Sequence, residues 1–426
     1  MSFNGLAESL VTVDSSNPEI LRVKVSPVRT STIGLLEVID AKTGDCLKTL
    51  HAGTFSPRQI FSIKRDAKLS PGKYRIRFRE GISLAFDGSL VPSGNRKWTN
   101  PTDLVVTDKS MYVLDSGKAP PEGPPPEKTP VGLEGRPYLY KFHRDKTPDV
   151  SFGDQGRVGP LLGPSWDKLA AWCYNRIRSI AVDSDERVYL SSIYHEVLIY
   201  DAKGQKLKQV IGGWDNNPFG TQCTTWVNSI AMGPQNRIYL PSSYKVLRVY
   251  DRTKEAFKGV MYSTTMPNPI GFERVIASDM AGSLYIICET GRLQKFVDTG
   301  SSVTAGYLSD SDVSLVNATG PSASGDLIWV AAHGGAPLWD YDAGEVAMFW
   351  DTGEEIHLVD RYGSPGTAVD KLQFMNPSSV VQSPDHLELW VVEDGMINEE
   401  GPPGNARIRK FKITSAHSEE VAVEIH

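Results

Sequence analysis

No run of apolar residues in this chain approaches the roughly 20 needed to cross a bilayer as a helix. The four cysteines, Cys46, Cys173, Cys223 and Cys288, are too few for a disulfide framework, and no two have the C-x-x-C spacing of zinc or redox sites. No Gly-rich phosphate loop, Walker sequence or Ser-His-Asp signature is present. A net charge of -6 gives no reason to expect nucleic acid or an anionic membrane as partner. The start, Met1-Ser2-Phe3-Asn4-Gly5, has neither the basic nor the apolar part of a signal peptide. Two readings follow: a cytoplasmic protein, or a mature secreted form carrying an added Met. Helical periodicity is also scarce, with at most a turn or two near Trp166 to Trp172.

What the chain has instead is a repeat. Arg176-Ile177-Arg178-Ser179-Ile180-Ala181 runs into Arg187-Val188-Tyr189-Leu190 and then Tyr194-His195-Glu196-Val197-Leu198-Ile199-Tyr200-Asp201. The same frame follows 50 residues later, without a gap: Trp226-Val227-Asn228-Ser229-Ile230-Ala231, Arg237-Ile238-Tyr239-Leu240, and Tyr244-Lys245-Val246-Leu247-Arg248-Val249-Tyr250-Asp251. Looser copies begin at Asn100, Arg274, near Leu327 and at Asn376, giving six units in all. Each reads as short alternating strands joined by polar turns. A four-stranded unit cannot bury both faces alone, so units must stack around an axis. The fold class is therefore all-β, a six-bladed β-propeller.

The Asn-Pro-x-Asp/Ser openings (Asn100-Pro101-Thr102-Asp103, Asn376-Pro377-Ser378-Ser379) and Asn405-Ala406-Arg407-Ile408 resemble the NHL-repeat family of six-bladed propellers over roughly residues 97 to 415. That family includes enzymes, lactonase-like proteins and binding scaffolds. The second to fifth blades depart from its loop signatures, so no family site residue carries over onto them. Residues 7 to 80 alternate differently, with strands at Leu21 to Val25, Leu35 to Asp40, Ile60 to Lys64 and Lys73 to Arg79. Val38-Ile39-Asp40-Ala41-Lys42-Thr43-Gly44, followed later by Pro71-Gly72-Lys73-Tyr74, is similar to small immunoglobulin-like domains of secreted bacterial proteins. The expected division is an immunoglobulin-like β-sandwich over 1–81 and the propeller over 82–426. Ile82 to Val91 and Val421 to Ile425 compete as the outer strand of the last blade.

Propellers gather function where the strand 2–3 loops and blade connections surround the channel mouth, because a rigid scaffold fixes those loops. The repeat register places Asp115, Tyr194, His195, Tyr244, Lys245, Glu289, His333, Glu393 and Asp394 on the loops. Trp98, Arg176, Arg178, Trp226, Asn228, Glu273 and Arg274 fall on the connections and innermost strands. Arg178, Asn228 and Arg274 hold nearly equivalent positions in successive blades. Two arginines at one mouth repel unless an anion or an internal carboxylate lies between them. A bound uronate would meet that need, with Trp226 or Trp98 stacked on a sugar ring; Glu273 or a neighbouring Asp would meet it as well. Elimination from a uronate needs a base, an acid and cations for the developing dianion. His195 supplies the base, Tyr194 or Tyr244 the acid, and Arg178 with Arg274 the clamp, with Arg176, Asn228, Lys245 and His333 as further substrate contacts. The competing reading makes the repeated tyrosines strand-end caps and His195 a loop contact.

The function expected is thus a secreted or periplasmic polysaccharide lyase acting on an anionic glycan, and a monomer. The alternatives are a non-catalytic glycan- or protein-binding propeller, or a glycoside hydrolase using Glu273, Glu289 or Glu393 with an Asp across the channel mouth. No cofactor is expected. Asp310-Ser311-Asp312 and Asp340-Tyr341-Asp342 offer hard oxygens, and two histidines with Glu289 could hold zinc, but none has the arrangement of a complete calcium or zinc site. Cys173 and Cys223 occupy matching points of adjacent blades, either as a disulfide or as two buried thiols.

Overall fold

The computed structural model describes residues 9–17, 20–64, 69, 71–92, 96–117, 137–161, 177–192, 196–211, 229–233, 237–242, 246–251, 256–262, 276–278, 282–287, 292–298, 303–309, 319–333, 344–366, 368, 370–375, 377–393 and 406–425. Among them every regular element is a β-strand. The segment near Trp166 to Trp172 lies outside the described residues.

Six four-stranded antiparallel sheets form the blades. Their innermost strands are Pro101–Val106, Ile177–Val182, Ala231–Met232, Ile276–Ser278, Thr319–Ser324 and Pro377–Gln382. Each innermost strand touches the next, and the last touches the first, so the sheets close a ring. The second strands lose the usual alternation because each blade is covered on both faces. Ser110–Asp115 is buried at every position. Tyr112 and Leu114 face Ile180, Leu190 and Leu198 of the second blade, while Met111 and Val113 face Trp390, Val392 and Ile408 of the sixth. One strand thus serves two interblade cores.

Polar latches cross those cores. Tyr285 of the fourth blade donates its hydroxyl to Asp351 Oδ2 of the fifth at 2.6 Å, and Lys295 and Tyr307 converge on the same carboxylate. Tyr239 and Arg237 of the third blade meet Asp298 of the fourth in the same way. A buried carboxylate is tolerable only with this many donors.

The N-terminal region is a two-sheet sandwich. One sheet orders Val11–Asp14, Ile20–Val25 and Gln59–Lys64. The other orders His417–Ile425, Gly72–Glu80, Ile33–Asp40 and Cys46–Thr54. Val23, Val25 and Leu21 from the first sheet pack on Val38, Ile76 and Phe78 from the second. The competition for the closing strand resolves in two directions. Ser83–Leu90 pairs with Arg407–Thr414 and completes the sixth blade. His417–Ile425, within the stretch assigned to the propeller, instead edges the sandwich, adding Val423 and Ile425 to its core.

The two parts meet at a buried seam. Glu37, on the strand Ile33–Asp40, accepts from Arg77 Nε at 2.9 Å, from Arg79 through Nε and Nη2 at 3.1 Å each, and faces His386 Nδ1 at 2.8 Å. The arginines continue across to the sixth blade, donating to the carbonyls of Asp385 and His386. Backbone bonds from Cys46 N to Pro384 O (2.8 Å) and from Thr49 N to Gly325 O (2.7 Å) extend the seam to the fifth blade.

Candidate functional site at the loop end of the channel

The innermost strands enclose an axial cavity of about 220 Å3. Its wall is mixed: Asp103, Ser179, Ser229, Ser322, Ser379 and Gln382 alternate with aliphatic side chains of the same strands. Asp103, Ser179 and Ser379 each stand third in their blade's first strand, and Ser229, 50 residues after Ser179, stands two residues ahead of the strand Ala231–Met232. Asp103 joins three blades: Oδ2 accepts from Ser179 Oγ (2.7 Å) and Ile180 N (3.0 Å), and Oδ1 from Ser379 Oγ (2.8 Å) and Leu104 N (2.9 Å). Burial raises its pKa above the usual aspartate range, although all four donors pull it down. This carboxylate is a hub of the scaffold. A shallower groove of about 410 Å3 opens on the sandwich beside Asp14, Ser16 and Arg22, and assembles no reactive set.

The end of the channel is shaped by a repeated irregularity. In the first blade Pro101 pairs with Asp115 but Asp103 pairs with Leu114, so Thr102 is bulged out of the ladder. The same shift leaves Arg178 bulged in the second blade, between Ile177↔Ser192 and Ser179↔Ser191. It leaves Ser378 bulged in the sixth, between Pro377↔Glu393 and Ser379↔Val392. A bulge adds one residue and re-aims the chain locally. Thr102 and Ser378 engage nearby groups, Ser116 Oγ at 2.8 Å and the carbonyls of Pro101 and Val392 at 3.4 Å. The second blade places arginine at this position.

The register also fixes which strand ends meet here. Ser192 pairs with both Ile177 and Glu196, so these strand ends lie at the same end of the blade as Arg178. In the third blade Ser242 pairs with Val246. His333 ends its strand opposite Gly344. Tyr194, His195, Tyr244, Lys245, Arg176, Trp226, Asn228 and Arg274 lie outside the described residues, as do Glu273, Glu289, Asp394, Cys173 and Cys223. Arg178 and His333 are placed by backbone alone.

Two sequence candidates take a different role. Asp115 accepts from Thr99 N (2.9 Å), Asn100 N (2.8 Å) and Gly117 N (3.1 Å), tying down the chain that enters the first blade. Burial raises its pKa and those three bonds lower it. Glu393 does the same for the sixth blade, accepting from Met375 N at 2.7 Å. It is fully buried and paired with Arg407 and Arg409, both at 2.7 Å. Burial lowers the Arg409 pKa to about 10, with Glu393 opposing and Arg407 adding to the fall. Glu393 is therefore unavailable as a hydrolase carboxylate: its oxygens hold the incoming connection. Sequence reasoning also missed the interblade latches. Their signal was the tyrosine in Ile238-Tyr239 and Leu284-Tyr285, which reaches a carboxylate of the next blade; the equivalent Tyr189 donates to Asp183 of its own blade at 3.0 Å.

Trp98 is a further correction. Its indole donates to Leu90 O at 2.9 Å and its ring packs edge-on to Tyr140 at 5.1 Å, which makes it a core residue.

Fold and site together define a six-bladed β-propeller with a sandwich docked on its last two blades. No protein-family model and no curated protein matches the sequence. Among solved structures, the chain is similar to a structural-genomics protein of unknown function from Bacteroides thetaiotaomicron VPI-5482 (TM-score 0.47, 11% identity, 97% of this chain and 99% of that one). It is also similar to the WD40 repeats of RRP9 (TM-score 0.46, 10% identity, 78% and 99%) and to U3-55K (TM-score 0.44, 11% identity, 78% and 98%).

Proposed function

We propose that the protein binds an anionic, uronate-containing glycan at the loop end of the channel and cleaves it by β-elimination, as an extracytoplasmic lyase. In this reading the propeller is of NHL type and the sandwich is immunoglobulin-like. The observation that carries the proposal is the recurrent bulge, which gives Thr102 and Ser378 to two blades and Arg178 to the second, at the blade end where Ser192 pairs with Glu196. Arginine there suits a carboxylate through a paired, planar hydrogen-bond geometry. His195 is assigned as base, Tyr194 or Tyr244 as acid, and Arg274 as the second arm of the clamp. Trp226, Asn228, Arg176, Lys245 and His333 would line the sugar subsites.

Incubation with a panel of uronate polysaccharides should generate the ultraviolet absorbance of a conjugated, unsaturated uronate. Arg178→Ala and His195→Ala should each reduce the rate by at least a hundredfold, a loss typical of removing a general base or a charge stabiliser. A flat absorbance trace across the panel rules out the lyase.

The second reading is recognition without cleavage. It is favoured by the fate of Asp103, Asp115 and Glu393, whose oxygens all serve the scaffold. Calorimetric binding of a uronate oligosaccharide, weakened by Arg178→Ala and unaccompanied by absorbance, identifies this case. Absence of both signals removes both readings.

A further inference from the structure

We propose that Cys46 and His386 form a two-ligand site for a soft monovalent metal ion, cuprous copper, in the seam between the sandwich and the sixth blade. A carboxylate oxygen of Glu37, the sulfur of Cys46 and a ring nitrogen of His386 lie within 4.8 Å of one another, and all three residues are buried. They come from separate elements: the strand Ile33–Asp40, the strand Cys46–Thr54 and the turn before Glu388–Glu393.

The geometry assigns different roles to the three. His386 Nδ1 is engaged with Glu37 Oε1 at 2.8 Å, so the carboxylate orients the ring and fixes the proton on that nitrogen. In the neutral ring Nε2 then presents a lone pair, and this atom is buried with no hydrogen-bond partner among the described residues. Such an orphaned polar atom calls for a missing ligand or water. Gly325 makes room at this point: a Cβ there would stand 3.0 Å from Cys46 Sγ and 3.3 Å from His386 Cε1. His386 is itself held at φ 59, a conformation few non-glycine residues adopt.

Charge selects the metal. Glu37 contributes one negative charge and Arg77 and Arg79 two positive ones, leaving the seam with one net positive charge when thiol and imidazole are neutral. Cuprous ion replaces the thiol proton: the S–H bond breaks, an S–Cu bond forms, the proton leaves to solvent and no electron changes hands. The buried charge is unchanged. Zinc would add a further positive charge between two guanidiniums, and both Glu37 oxygens already accept from Arg77, Arg79 and His386. Thiolate with imidazole is a donor set that suits soft cuprous ion. Because the site is closed, loading accompanies formation of the seam.

The test uses the full chain with Cys173, Cys223 and Cys288 each changed to Ser, so that Cys46 is the only thiol. It is refolded anaerobically with cuprous ion in competition with a chromophoric cuprous chelator. One copper per chain is expected, with one sulfur and at least one imidazole nitrogen in the X-ray absorption spectrum. His386→Asn tolerates the positive φ and can still donate to Glu37, so it should melt like its parent yet hold copper on the order of 100-fold more weakly. Copper uptake unchanged in His386→Asn, sulfur-only coordination, or preference for zinc would each overturn the proposal. If the triple variant does not fold, the unmodified chain and its His386→Asn variant are compared instead. A deficit of one copper in the variant supports the site, and equal uptake overturns it.

Discussion

Glu37 of the sandwich and His386 of the sixth blade, 349 residues apart, face each other at 2.8 Å with neither side chain exposed. Around that contact Arg77 and Arg79 place most of their donors on one carboxylate and on carbonyls of the neighbouring blade. Glu37→Gln leaves two buried guanidiniums facing a neutral amide. Breaking a buried pair in this way costs about 3–5 kcal/mol. Urea unfolding should report a loss of that order, and a loss below about 1 kcal/mol would mean that water reaches the seam.

The same carboxylate sets a pH dependence. Burial raises the Glu37 pKa, but Arg79, the hydrogen bond from His386 and Arg77 together outweigh it, and the folded value lies well below the usual range. The folded pKa is below the unfolded one, so its stabilisation is complete above about pH 4.3 and is lost as the pH falls toward the folded value. Asp351, also lowered, acts in the same sense. Urea midpoints measured from pH 6 downward should decline below about pH 4.3, and the decline should be shallower in Glu37→Gln. Parallel curves for the two chains would remove Glu37 as the source.

At the latch between the fourth and fifth blades, Tyr285→Phe removes one of several donors to Asp351. A hydrogen bond to a charged group contributes about 1.5–3 kcal/mol. Asp351→Ala should cost more, since it leaves Lys295 and two hydroxyls without their acceptor. Because the two residues share one network, the double variant should lose less than the sum of the single losses. Strict additivity in thermal melts would show that the latch does not form.

Asp103 gives the opposite titration. Its folded pKa is raised, chiefly by burial, so the stability it contributes is present below the ordinary aspartate value near about pH 3.9 and is lost as pH rises through the folded value. Asp103→Asn removes that charge but cannot satisfy both Ile180 N and Leu104 N while its amide also donates to a serine. A cost of about 1–3 kcal/mol is expected, read by differential scanning calorimetry. An unchanged melt would exclude Asp103 as the hub of the three blades.

The blades were legible because Val188-Tyr189-Leu190 and Ile238-Tyr239-Leu240 repeat with their turns at a constant offset. Strand pairing follows that register directly. The sandwich was partly legible: Cys46–Thr54 escaped notice because Leu47, Lys48 and Thr49 do not alternate, being shared between a core and a docking surface. Asp115 and Glu393 looked like site carboxylates because their position in the repeat is the loop end. Sequence position alone does not distinguish a side chain turned to the channel from one turned back onto its own backbone. The Glu37 cluster was invisible, since its partners are separated by most of the chain.

The exchange of strands between the two parts has a consequence for how the chain is made. The sixth blade waits for three strands to join Ser83–Leu90, synthesised before any other blade strand, while the sandwich waits for His417–Ile425, synthesised after all of them. Neither module can finish as it leaves the ribosome. A chain interrupted at residue 416 would therefore release a first domain with an open edge and two apolar side chains, Val423 and Ile425, missing from its core. A stop before His417 would thus be felt far from where it falls, as an unpaired strand edge along Gly72–Glu80 in the N-terminal sandwich.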